Sequence, residues 1–222
     1  MSNKYKLIMF DLDGTLVETA LEICDAVNDT FKHFGLGQVQ QKQVNDWIGH
    51  GTRELIIQAL AHLERVPAES IRGSDRLKEI FEQFDPFYKA RCGTRSHLYP
   101  HVREVLQELK AQGTKLAIVT NKEGRHTQTL VKYHQLDVLM DVVISGDTFP
   151  TKKPDPVGIH HCLQQYGVRP EEALFVGDSS IDAATAKNAG VEVWLLPYGY
   201  NLGQPVADCH PDRLIDDFSA LR

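Results

Sequence analysis

The run Leu7-Ile8-Met9-Phe10-Asp11-Leu12-Asp13-Gly14-Thr15 decides how the rest of the chain is read. Four apolar residues in unbroken succession describe a short strand buried on both faces, as in the middle of a parallel sheet. The strand gives way at once to two acids separated by one residue, and then to a glycine. Side chains two apart in an extended segment point to the same side, so Asp11 and Asp13 can face one small volume. Gly14 lets the chain turn and brings backbone N–H groups toward any anion there. An ordinary strand-to-turn junction also uses Asp and Gly, so the meaning of the run depends on what the chain places beside it.

Further apolar runs at residues 116–120, 142–145, 173–176 and 191–196 have the same short, Val- and Ile-rich character. Helical patterns separate them. Val102, Val105, Leu106 and Leu109 form an apolar stripe that stops at Gly113. Residues 123–135, 156–166 and 180–188 are further helix candidates, the last ended by Gly190. Strand and helix in alternation predict a doubly wound α/β fold with a parallel sheet.

About a hundred residues separate the first strand from the second, where a crossover needs about a dozen or more, so a segment is inserted. The insert reads as helical. Thr19 and Glu22 form a capping-box pattern ahead of Ile23, Val27, Thr30, Phe31 and Phe34. Ile56, Ala59, Leu60 and Leu63 give a second stripe; Leu77, Ile80, Phe81, Phe84 and Tyr88 give a third, with Pro86 expected to bend or break it. The expected division is an α/β core of residues 1–16 and 93–222 and an inserted helical domain of residues 17–92.

The composition is that of a soluble globular protein, with 42% apolar and 24% charged residues among 222. The net charge of −6, with dispersed Lys and Arg, argues against a nucleic-acid binder. Cys24, Cys92, Cys162 and Cys209 are far apart and form no CxxC pair, which fits reduced thiols rather than a disulfide framework or zinc site. A polar start over residues 1–6 and the lack of a long apolar span predict a cytoplasmic protein without a signal peptide or membrane segment.

Ligands of parallel α/β sheets sit beyond the carboxyl ends of the strands. Asp11 and Asp13 fall there, as do Thr120-Asn121-Lys122 after the second strand. Gly177-Asp178-Ser179-Ser180-Ile181-Asp182 follows the fourth, with Asp182 one helical turn beyond Asp178. Lys152-Lys153-Pro154 lies between these motifs in the chain. Four acids, a lysine and a hydroxyl suit a site for Mg²⁺ and phosphate: a hard cation with oxygen ligands relieves the repulsion between the carboxylates. Asp11 is then a nucleophile that forms an acyl phosphate, and Asp13 an acid that protonates the leaving oxygen and later activates water. Thr120, Asn121 and Lys153 bind the phosphate.

In order and spacing these motifs resemble those of the haloacid dehalogenase superfamily of phosphatases, over essentially the whole chain. The resemblance implies Asp11 as nucleophile and Asp13 as general acid/base. It implies a magnesium held by the Asp11 carboxylate, the Asp13 backbone carbonyl and Asp178, with Asp182 in support. It implies phosphate binding by Thr120 and Lys153, the lysine directly before proline, rather than by Lys152. The insert resembles the family's mobile helical cap, and residues 47–55 its substrate-specificity loop, where His50 and Arg53 are candidates to read a carboxylate or phosphate. With residues 198–203, that loop points to the phosphoglycolate phosphatases as the closest subgroup, and so to 2-phosphoglycolate as the expected substrate. One departure is His101, where the family usually has glycine.

Several residues are assigned no chemistry: the four cysteines, His160 and His161, Asp147 as a turn residue, Lys122 as solvent-facing, and Trp47 and Trp194 as packing residues. A phospho-receiver switch shares the sheet, the acids, the Thr and the Lys, but has neither an acid at the Asp13 position nor a lid. A dehalogenase would lack Asp13, and a phosphonatase would need a cap lysine in the 49–53 loop. A sugar-phosphate mutase, a pyrophosphatase and a nucleotidase stay open, because a shared scaffold does not fix the substrate. The sequence leaves the oligomeric state open.

Overall fold

The computed structural model describes residues 4–222; Met1 to Asn3, the start of the polar N-terminal stretch, lie outside them. In chain order the elements are β1 (Leu7–Phe10), β2 (Val17–Glu18), α1 (Ala20–His33), α2 (Gln41–Asn45), α3 (Thr52–Glu64), α4 (Ala68–Arg72), α5 (Asp75–Arg91), β3 (His97–Leu98), α6 (Val102–Ala111), β4 (Lys115–Val119), α7 (Gly124–Tyr133), β5 (Val142–Ile144), α8 (Val157–Tyr166), β6 (Ala173–Gly177), α9 (Ser180–Ala189), β7 (Glu192–Leu195) and β8 (Arg213–Leu214).

Among the described residues the main sheet has six strands in the order β5-β4-β1-β6-β7-β8, and every neighbouring pair is parallel. β1 lies inside the sheet and all four of its residues are buried, which is why its run is apolar without alternation. Its two faces still differ. Ile8 and Phe10 share a core with Leu116, Ile118, Leu174 and Val176, covered by Val105, Leu106 and Leu109 of α6. Leu7 and Met9 face the opposite layer, where Ile159 and Leu163 of α8 and Ala183 and Ala186 of α9 pack. The structure is therefore the expected doubly wound α/β fold. The edge strand β8 was not foreseen: two exposed residues carry no apolar signal.

Register brings the functional ends of the strands together. Phe10 pairs with both Ile118 and Val176, so Asp11 leaves the sheet within one residue of Thr120 and of Asp178.

α1 to α5 form the helical insert, between β2 and β3. Those two strands pair antiparallel, Val17 with Leu98 and Glu18 with His97, so the segments that enter and leave the insert are bound to each other. α1 and α5 bury Val27 and Phe31 against Phe84 and Tyr88, and this apolar layer is continuous with the α6 side of the sheet.

Three local expectations are corrected. Thr19 is the N-cap of α1, but its side chain makes no capping bond, because its hydroxyl donates to Asp13 instead. Glu22, the other half of the expected box, is fully buried and accepts from the backbone N–H groups of Gly93, Arg95 and Ser96, so it grips the segment that leaves the insert. Helix α5 runs unbroken through Pro86, because Leu77, Ile80, Phe84 and Tyr88 anchor it on both sides of the proline. The prolyl ring removes one hydrogen bond, while packing of the apolar face fixes the helix.

His101 sits in the left-handed region, φ 66°, at the start of α6. This conformation costs a residue with a Cβ more than it costs glycine. His101→Gly is therefore expected to raise unfolding stability by about 0.5–1 kcal/mol, read from urea denaturation at neutral pH.

Candidate active site

Asp11 follows β1 directly and is 8% exposed. Its Oδ1 accepts from the Leu12 N–H at 2.7 Å and lies 2.9 Å from the Lys153 Nζ. Both contacts fall on Oδ1, which leaves Oδ2 for a ligand. Burial pushes the Asp11 carboxyl up to about 6, against the opposing pull of Lys153.

Lys153 is buried, and its ammonium bridges Asp11 and Asp182, with the latter oxygen at 2.7 Å. Burial works against its charge, but the two carboxylates outweigh it and hold the lysine well above its ordinary range. Lys152 takes a different position: its ammonium donates to the carbonyl of His50, outside this cluster.

Asp182 is completely buried and has both oxygens committed. Oδ1 takes the Lys153 ammonium, while Oδ2 accepts from the backbone N–H groups of Asp178 and Ser179 and from the Ser179 hydroxyl. Ser179 returns the contact by accepting from the Asp182 N–H, which makes a capping box at the start of α9. Asp182 thus braces the turn that presents Asp178.

Asp178 is 1% exposed. It accepts from the Thr15 hydroxyl through Oδ1 and from the Tyr200 N–H at 2.6 Å through Oδ2. Burial raises its carboxyl well above the usual range, and Asp182 and Asp11 add to that. Gly14, at φ 84°, and Gly199 both face this carboxylate, and a Cβ at either position would collide with it. These glycines explain why the turns after β1 and β7 can close on the same acid. Thr15 and Tyr200 belong to motifs visible in the sequence, but only the fold shows that both motifs hold Asp178.

Asp13 has partners of its own, apart from that cluster. Its Oδ1 accepts from the Thr19 hydroxyl at 2.7 Å, and both of its oxygens accept from the Lys122 ammonium at 3.0 Å. The solvent-facing position expected for Lys122 is therefore wrong: its side chain is only 5% exposed and lies over the Tyr88 ring, 4.7 Å from the centroid. Burial opposes its charge, and Asp13 leads the contacts that raise it. A residue after a strand end reads as loop, and nothing local announces that a helix of the insert covers it.

Thr120 accepts from the Lys122 N–H at 3.3 Å, so its own hydroxyl proton stays available to a ligand. The Asn121 side-chain amide donates to the carbonyls of Gly49 and Lys153, both at 3.0 Å. It ties the insert to the lysine loop.

A cavity of at most about 490 Å³ lies over Asp11. Asp11, Asp13, Thr120, Asn121 and Lys122 line it from the sheet; Ile23, Ile48, Thr52, Leu55, Phe84 and Tyr88 line it from the insert. Contacts between the insert and the core at its rim include Thr52 to Glu123 at 2.6 Å and Arg125 to Asp85 at 2.7 Å. His50 and Arg53 do not reach this cavity. Both are exposed and line a separate cleft with Asp46, Trp47 and Arg72. Helix α3 begins at Thr52, and successive helical residues diverge by about 100°, so Thr52 and Arg53 face different ways.

The residues left without chemistry hold other positions. Asp147 is exposed and accepts from the Gly124 N–H at the start of α7. His160 and His161 are exposed, and the four cysteines are unpaired. Trp47 packs against the apolar core, and Trp194 lies between Tyr5 and Arg213.

Oxygens of Asp11, Asp178 and Asp182 all lie within 4.8 Å of one another, with the single ammonium of Lys153 among them. Such an all-oxygen set with excess negative charge fits a hard divalent cation.

This combination of sheet, strand-end acids and helical insert has counterparts among known proteins. The family profile described as Haloacid dehalogenase-like hydrolase matches residues 8–196. The chain belongs to that family. It is similar to the phosphoglycolate phosphatase of Mannheimia succiniciproducens, with 38% identity over all of this chain and 98% of that one. The corresponding protein of Vibrio vulnificus is 39% identical, over 97% of this chain and 94% of that one. Among solved structures, a predicted phosphoglycolate phosphatase from Haemophilus somnus superposes with a TM-score of 0.91 at 36% identity, covering 98% of this chain and 96% of that one. CbbY from Rhodobacter sphaeroides, solved in complex with phosphate, gives a TM-score of 0.78 at 26% identity, covering 98% and 96%. Within the family the chain is a phosphoric monoester hydrolase. Among the described residues, no helix is long and apolar enough to cross a membrane.

Removing the Asp182 side chain leaves Lys153 without one of its counter-charges and takes away the half of the α9 capping box that binds the Asp178 and Ser179 N–H groups. Asp182→Ala is expected to lower unfolding stability by about 3–5 kcal/mol in denaturant titration.

Proposed function

We propose that the protein is a magnesium-dependent phosphatase that hydrolyses 2-phosphoglycolate to glycolate and phosphate through an aspartyl phosphate on Asp11. The observation that carries this reading is the free Oδ2 of Asp11, on a carboxylate otherwise fixed by Lys153 and the Leu12 N–H.

The transferred phosphoryl group lies over Asp11, held by the Thr120 hydroxyl, the Lys153 ammonium and the backbone N–H of Asn121, whose side-chain N–H donors are already spent on two carbonyls. Asp11 Oδ2 attacks phosphorus and the ester P–O bond breaks. Asp13 gives its proton to the departing oxygen, so glycolate leaves with its hydroxyl restored. Asp13, now ionised, takes a proton from water as that water attacks phosphorus. The acyl phosphate bond breaks, returning Asp11 as a carboxylate and releasing phosphate. Asp11, the Asp13 carbonyl and Asp178 would hold Mg²⁺, with Asp182 bracing Asp178. Bound Mg²⁺ offsets the carboxylate charge and draws negative charge from the phosphoryl oxygens.

In this reading residues 17–92 act as a lid over the core of residues 1–16 and 93–222, and the rim contacts belong to its closed position. Support for the substrate comes from full-length relatives that carry the phosphoglycolate phosphatase name. The small cavity and its apolar lining from the insert favour a compact phosphorylated metabolite over a nucleotide. The unpaired cysteines agree with a cytoplasmic location.

Asp11→Asn is expected to lose turnover by at least about a thousandfold while keeping a wild-type circular dichroism spectrum and melting curve. Full activity in that variant would refute the nucleophile. EDTA should stop hydrolysis and added magnesium restore it, and indifference to both would remove the metal. A screen of phosphate monoesters ranked by kcat/KM tests the substrate, with 2-phosphoglycolate expected first.

A further inference from the structure

The chemical steps above give Lys122 no part, although it is a buried ammonium on the wall of the reaction cavity. It touches both oxygens of Asp13 at 3.0 Å and rests on the face of Tyr88. The aromatic ring of the insert fixes the ammonium without using its N–H donors.

The position of Asp13 fixes where the leaving group must lie. To be protonated, the leaving oxygen has to come within hydrogen-bond reach of an Asp13 oxygen. Lys122 is in reach of the same oxygens, so the leaving oxygen and the ammonium come within about 3–5 Å of each other. In a phosphate ester with a carboxylate on the ester carbon, the carboxylate oxygens lie about 3 Å from the ester oxygen. A carboxylate on that carbon therefore falls beside Lys122.

Among the described residues the rest of the lining gives it no other cation. Ile23, Ile48, Leu55 and Phe84 line the same cavity, and a carboxylate set against them without a counter-charge would lose its hydration for nothing. Among the described residues that line this cavity, Lys122 has the one cationic side chain. His50 and Arg53, the carboxylate readers expected from sequence, line the other cleft.

The geometry points to Lys122 as the specificity residue: its ammonium receives the carboxylate of a 2-phosphonooxy carboxylate while the leaving oxygen sits at Asp13. This inference rests on the roles given above to Asp11 and Asp13. It adds that substrate choice is made by the core, at the residue two beyond Thr120. The lid's part is to supply the apolar wall and the Tyr88 ring, which make that charge effective.

The test compares kcat/KM for 2-phosphoglycolate, its uncharged amide and ethyl phosphate, in the wild type, Lys122→Met and Lys122→Arg. A hydrogen bond from a buried charge predicts a wild-type preference for the acid over the amide of about 10–100-fold. Lys122→Met should lower turnover of every substrate, through Asp13, but bring the acid-to-amide ratio to within about threefold of one. Lys122→Arg should keep most of the ratio. An unchanged ratio in Lys122→Met, with all substrates falling together, would show that Lys122 only positions Asp13 and would overturn the inference. Equal wild-type turnover of acid and amide would overturn it too, and needs no variant to fold. Activity in Asp11→Asn, or no hydrolysis of any of the three esters by the wild type, would instead bring down the phosphatase mechanism beneath it.

Discussion

Lys153 carries one positive charge into a space where Asp11, Asp178 and Asp182 crowd together, and much of the structure serves to keep it there. Its ammonium lies between Asp11 and Asp182, and all three side chains are buried. Without it, one edge of the sheet would hold three desolvated carboxylates with nothing to offset their repulsion. A buried ion pair of this kind adds little to stability by itself, but losing one partner is costly, because the other is then left uncompensated. The capping box of α9 is part of the same arrangement, since the oxygen of Asp182 not used by Lys153 closes that cap. Fixing the lysine, orienting α9 and presenting Asp178 are one structural event.

The two buried lysines serve different carboxylates. Lys153 pairs with Asp11 and Asp182, and Lys122, on the wall of the cavity, pairs with Asp13. The helical insert completes the arrangement, because Tyr88 of α5 and Thr52 of α3 meet Lys122 and Glu123 from above. Its other contribution is at its root. Glu22 grips the exit segment, while the Tyr200 hydroxyl accepts from the Thr19 and Ala20 N–H groups and donates to Glu18. Tyr200 also supplies the N–H that holds Asp178, so one residue joins the carboxylate cluster to the base of the insert.

The site divides between what is local in the chain and what is not. Asp11, Asp13, Thr120, Asp178 and Asp182 could be assembled from sequence because each sits at or near the end of a buried strand, and a parallel sheet sends all those ends to one edge; Lys153 joins them from the loop between β5 and α8. The burial of Lys122, and the place of His50 and Arg53 in a cleft apart from Asp11, share one physical reason. Each depends on how the insert lies over the core, and a contact between residues 122 and 88 leaves no trace in the periodicity of either segment. Thr19 and Glu22 show the same thing on a smaller scale: their spacing matches a capping box, but Asp13 and the residue 93–96 segment compete for their side chains and win.

By itself the sequence determined the doubly wound sheet, the inserted helices and the acid cluster at the strand ends, because those follow from apolar runs and from the direction of parallel strands. Only the tertiary structure decided which cation pairs with Asp13 and that α5 continues without a break past Pro86. It also showed that residues as distant as Thr15 and Tyr200 close on one carboxylate. Those outcomes are set by packing between segments far apart in the chain, where burial and competition for hydrogen-bond partners outweigh local preference.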